Sequence, residues 1–177
     1  MNIPKIELLQ EKLLASSTFA LGAGNLSAAI DTFANWLLGG FGAGLALLLA
    51  NIDKMQGYIA TNAIRRAGLL FLAAVIVGTV EKLFALVITT ASKGYAAGRE
   101  MGAGVTGIDL QQYFKESERA FYFPARWFAA RSFRKVAQGD IVALPRALLR
   151  AAQIQTWIAL AEAGLIIWAI YTIIHAL

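Results

Sequence analysis

Ionisable side chains stand inside otherwise apolar sequence at Glu81 and Lys82, within residues 67–90, and at Glu162, within 151–174. A charge held in hydrocarbon costs several kcal/mol and needs an opposite charge, a polar neighbour or water. Such groups can fix helix register as an ion pair, or they can carry a proton or ion across a membrane. Lys82 stands eight residues before Thr90, and Glu162 stands eight after Ile154. On antiparallel helices both lie ~12 Å in from the same boundary, at ~1.5 Å per residue. The spacing predicts a Lys82–Glu162 ion pair, within one chain or between neighbours. Polar companions are few, mainly Thr79, Thr89, Thr90 and Thr156, a thin lining for a selective pore. If the second apolar stretch ends before Glu81, the pair lies in the membrane interface instead.

The elements that must position these groups are the apolar stretches 32–52, 67–90 and 151–174. Each has roughly the 20 residues an α-helix needs to cross ~30 Å of hydrocarbon. Hydrophobic residues make up 58% of the 177-residue chain and charged residues 15%, the latter well below the ~25% usual in soluble domains. The expected class is therefore an all-α integral membrane protein forming a single membrane domain over 1–177. It has about three transmembrane helices, with a fourth if residues 13–30 also cross. An amphipathic N-terminal helix and a cytoplasmic helical segment complete it.

The chain has no cysteine and one histidine, His175. Disulfides, iron–sulfur clusters, thiol catalysis and a bis-histidine haem site within one chain are thereby excluded. The first 30 residues resemble a signal peptide in having an apolar core, but Glu7 and Glu11 balance Lys5 and Lys12, the wrong charge pattern for one. A cleaved signal is not expected. Residues 1–30 read as an amphipathic, interfacial segment, with Ile6, Leu9 and Leu13 on one face. Asp31 or Thr32 can cap the first span.

Glycine supplies the packing signal. Gly40 and Gly44 form a GxxxG within 32–52, and Gly78, Gly94, Gly98 and Gly102 share one four-residue phase. Steps of four advance only ~40° around a helix, so these glycines form a ridge where another backbone can approach. The second span can then continue to about residue 103. The alternative is a glycine-rich loop, since Gly102, Gly104 and Gly107 also read as a helix stop.

Beyond it, Asp109 and Gln112 have the spacing of a capping box, opening basic, aromatic interfacial helices over 109–139. Arg126, Trp127, Phe128, Arg131, Phe133, Arg134 and Lys135 interleave cations with aromatic rings, the pattern for anionic lipid headgroups beside a membrane. A protein partner is the alternative, and no nucleic acid is expected. Gln138, Gly139 and Asp140 read as a turn, and Pro145 as the first turn of a last helix over 145–175. Residues 93–150 hold ten Lys/Arg against five Asp/Glu, whereas 53–66 hold three Lys/Arg. The basic excess belongs on the cytoplasmic side, giving a cytoplasmic N-terminus and an outer C-terminus, as in a bacterial inner membrane.

No GxxxxGK[ST], HExxH or GxSxG motif occurs. No cofactor or metal is expected, and catalysis would rest on scattered carboxylates. The leading reading is a non-enzymatic subunit that builds a homo-oligomeric or multi-subunit membrane assembly, for example a secretion-type machine. Glycine-rich packing and lipid contacts would hold it together. One alternative is an oligomeric ion channel or transporter subunit using Glu81, Lys82 and Glu162. A second is a membrane-disrupting, holin-like or toxin-like effector.

Overall fold

The computed structural model describes residues 5–55, 59–102, 112, 116, 119 and 125–176. Among the described residues the helices with defined bounds are, in chain order, α1 (Lys5–Ala50), α2 (Ile52–Met55), α3 (Thr61–Gly102), α4 (Ala125–Ala137) and α5 (Ala143–Ile174), and residues 112, 116 and 119 are also helical. No strand occurs among the described residues. Three of these helices are long and apolar enough to cross a membrane, over Gln10–Ala50, Thr61–Glu100 and Ala143–Ile174. The protein is thus an all-helical membrane protein.

The expected break between an interfacial segment and a span starting near residue 32 is absent. α1 runs 46 residues without interruption, about 69 Å at the α-helical rise. No proline lies within it, and Ser27, Ala28, Ala29 and Ile30 continue the helix directly into Asp31. Asp31 is consequently a mid-helix residue and not a cap. α3 likewise continues past Thr90 to Gly102. Asp109, the first residue of the expected capping box, lies outside the described residues.

The burial pattern is that of helices packed in lipid. Most buried apolar residues are alanines, while Trp36, Leu47, Trp157 and Trp168 are each more than 60% exposed. A soluble core has the opposite arrangement. Small residues inside let backbones approach where lipid removes the hydrophobic drive between helices. The seams follow a period of seven. Buried positions recur at Ala67, Ala74, Glu81 and Ile88 of α3, and at Leu148, Gln155, Glu162 and Ala169 of α5. In α1, Ser16, Ala20, Ala23, Ser27 and Ala34 step by three, four and seven. That spacing keeps one stripe facing its neighbours, as in left-handed helix packing.

The chain forms two compact units, to each of which α1, α3 and α5 contribute a segment. The first comprises Met1–Asn25 and Ile88–Ala152. In it Ser16 and Tyr95 are hydrogen-bonded through their hydroxyls, and Ser16 donates to the Ile141 carbonyl at 3.3 Å. Tyr95 is therefore the donor to Ser16. Gly139 ends α4 with φ 93°, a left-handed conformation that costs glycine nothing. Asp140 N–H bonds the Lys135 carbonyl at 3.0 Å and Gly139 N–H that of Val136 at 2.9 Å, the pairing of a Schellman cap. An Arg146–Asp140 ion pair at 3.6 Å braces the turn.

The second unit comprises Leu26–Val87 and Gln153–Leu177. One end is closed by Ile59, Ala63 and Ile64, packed against Leu48, Ile52, Ile173 and Ala176. Phe71 approaches Gly42 so closely that a Cβ there would lie 3.0 Å from its Cζ. Its ring meets Phe41 with centroids 5.5 Å apart.

Candidate functional site

The polar residues of the second unit converge in its interior. The seven-residue period of α3 carries Glu81 inward, and that of α5 carries Gln155 and Glu162 inward; all are fully buried. Gln155 Nε2 donates to Glu81 Oε1 at 2.5 Å and to the Ser27 carbonyl at 3.2 Å, tying the three helices together at one level. One turn along α3 from Glu81, Gly78 leaves room for the Glu162 carboxyl. A Cβ on residue 78 would lie 3.0 Å from Glu162 Oε2 and 2.9 Å from Leu38 Cδ1.

Lys82 departs from expectation. Its ammonium donates to Asp31 Oδ1 at 2.6 Å and to the Asp31 carbonyl at 3.1 Å. Glu81 Oε2 lies 3.5 Å away, within ion-pair range. Within the chain the predicted Lys82–Glu162 pair is not formed, and neither Glu162 oxygen has a hydrogen-bond partner. The depth argument placed Lys82 and Glu162 at similar levels but left out α1. A continuous α1 brings Asp31 to that level, on the flank of the seam that Lys82 reaches. The Lys82 and Asp31 side chains are 34% and 32% exposed, so this pair sits at the edge of the cluster and Glu81 inside it.

The interior is under-satisfied. Ser27 Oγ, Glu81 Oε2, Gln155 Oε1 and both Glu162 oxygens are buried without a hydrogen-bond partner. Each orphaned group of this kind costs ~1–3 kcal/mol, and a concentration of them calls for water or an ion. Chemically, the cluster offers acceptor oxygens and one hydroxyl, with the Asp31 and Glu81 carboxyls on one ammonium and the Glu162 carboxyl unpaired. It contains no nucleophile set beside a base.

Of the other residues singled out in the sequence, Gly40 and Gly44 line an apolar groove of about 450 Å³ between α1 and α5, together with Trp36 and Ile170. A Cβ would meet nothing within 4 Å at Gly40, Gly44, Gly94 or Gly98. Gly102 ends α3, with its surroundings outside the described residues. Close approach occurs instead at Gly78, Gly42 and Gly24, the last against Ser92. On α4, Arg126, Arg131, Arg134 and Lys135 are exposed, Phe133 is half-buried and Ala130 is buried. Trp127 and Phe128 lie in α4, their side chains outside the described set.

Ser27, Asp31 and Gln155 are the site residues that sequence reasoning missed. Gln155 stands seven residues before Glu162, in the phase that also carries Leu148 and Ala169, and that register could have found it. Compared with known proteins, the chain matches no family model, no curated protein and no solved structure.

Proposed function

We propose that this chain is a non-enzymatic integral membrane subunit whose buried acid cluster accepts a proton or a monovalent cation within a larger membrane assembly. The observation that carries this reading is the gathering of buried oxygens without a hydrogen-bond partner, from Ser27, Gln155 and Glu162, beside the buried Glu81 carboxyl. Inside hydrocarbon such atoms have no water to turn to, and hard oxygen donors suit hard cations. Among the described residues no three His, Asp or Glu side chains form a metal-ligand set, which favours a singly charged guest over a multidentate metal.

A larger assembly is supported by the Asp31–Lys82 pair, about one-third exposed on each side. In a lone copy that flank meets lipid, whereas a neighbouring subunit would cover it. The basic helix α4, with Arg126, Arg131, Arg134 and Lys135, then contacts anionic headgroups on the cytoplasmic face of a bacterial inner membrane.

The test is ion flux into liposomes carrying the purified protein, followed with a pH-sensitive dye and with imposed Na⁺ or K⁺ gradients. Wild type should dissipate one of these gradients. Glu162→Gln and Glu81→Gln should abolish the flux while native mass spectrometry shows the same assembly. An inert wild type, or variants as active as wild type, would leave the cluster a packing device.

A further inference from the structure

A second polar feature lies in the first unit, where α1 and α3 bound a pocket of about 350 Å³. That is near the lower end of ordinary ligand sites, ~300–1,000 Å³. Ser17 and Ser92 line it with Tyr95, while Arg99 and Glu100 contribute a cation and an anion. Ala20, Leu21 and Ala96 supply its apolar wall.

Ser92 packs the wall of the pocket against α1. It is 7% exposed, and its hydroxyl is buried with no hydrogen-bond partner. Hydroxyls elsewhere on these helices turn back to their own backbone: Ser17 and Thr18 donate to the Leu14 carbonyl, and Thr79 to that of Val75. A helical serine has this escape available at little cost, and Ser92 does not take it. Close packing holds it instead, since a Cβ on Gly24 would lie 3.1 Å from its Oγ.

The depth and charge of the pocket identify an occupant. The apolar run of α3 ends at Thr90, and Ser92 to Arg99 cover the next ~10 Å of helix. This is where hydrocarbon gives way to headgroups. A guanidinium matches phosphate in a planar, two-bond contact. Glu100, next along the helix, would oppose an anionic headgroup and would attract an ammonium. We infer that the pocket holds the headgroup of a zwitterionic phospholipid bearing a primary ammonium. Arg99 takes the phosphate, Glu100 takes the ammonium, and Ala20, Leu21 and Ala96 meet the glycerol and upper acyl carbons.

The experiment is lipid retention by the full-length protein, released from nanodiscs of equal phosphatidylethanolamine, phosphatidylglycerol and phosphatidylcholine into native mass spectrometry. Wild type should keep phosphatidylethanolamine in preference to phosphatidylcholine, its counterpart without a primary ammonium. Arg99→Gln should reduce that retention about tenfold, the scale of losing a charge-assisted contact, and Arg99→Lys should restore part of it. Glu100→Gln should shift the preference toward phosphatidylglycerol, a change that mere loss of structure does not produce. The inference is overturned if wild type keeps no more phosphatidylethanolamine than phosphatidylcholine, or if Glu100→Gln leaves the ranking unchanged. Lys54→Gln on α2 serves as the control and should leave the headgroup ranking as in wild type.

Discussion

The Glu162 carboxyl lies against the backbone of Gly78, so near that a methyl group there would come within 3.0 Å of Oε2 and 3.1 Å of Cδ. Residue 78 has no side chain because an acid from another helix occupies its place. Gly78→Ala should therefore displace Glu162 or part α3 from α5, at the ~1–3 kcal/mol typical of overpacking. Gly94→Ala and Gly98→Ala meet open space and should be neutral or stabilising, by up to ~1 kcal/mol from helix propensity. Thermal unfolding in detergent separates the two signs.

Lys82 belongs to Asp31. Removing either partner should cost about 2 kcal/mol, the lower part of the range for hydrogen bonds to charged groups, because both side chains are partly exposed. The exchanged variant, Asp31→Lys with Lys82→Asp, should recover part of it. Exchange of Lys82 with Glu162 should recover nothing. A double-mutant cycle on unfolding free energy decides between these pairings.

Glu162 and Glu81 should respond oppositely to the loss of their charge. Glu162→Met deletes two orphaned oxygens and should raise stability by ~1–3 kcal/mol, while ending any flux. Glu81→Met takes away the acceptor of Gln155 Nε2 at 2.5 Å and the neighbour of Lys82 at 3.5 Å, and should lower it. Equal effects in the two variants would show that the acids share one environment.

In the first unit, Tyr95→Phe removes the donor to Ser16 and should cost ~1 kcal/mol. Ser16→Ala in the Tyr95→Phe background should add less than Ser16→Ala alone, because the pair is already broken.

The helical membrane class was legible in the apolar stretches, and Glu81, Lys82 and Glu162 announced themselves by being charged within them. Their partners were harder to read. Depth counted along two helices says nothing of a third, and Asp31 looked like a cap because the serines and glycine of 16–27 diluted the hydropathy before it. The structure places two of those serines, Ser16 and Ser27, in the buried stripe with Ala20, Ala23 and Ala34, and α1 continues through Asp31. Glycine phase misled in a similar way. Gly94 and Gly98 share a phase with Gly78, but what decides close approach is whether a neighbouring helix is there, as at Gly24 and Gly42.

The alanine-lined seams also set how the sequence can drift. With so little volume at the contacts, trimming a seam alanine to glycine removes one methyl and opens almost no void. Enlarging it drives two helices apart along their length. Outward positions such as Trp36 and Leu47 face no such limit. Tolerance to mutation should thus be one-sided in the interior and broad on the surface, and a saturation library would trace the helix contacts by the residues that refuse to grow.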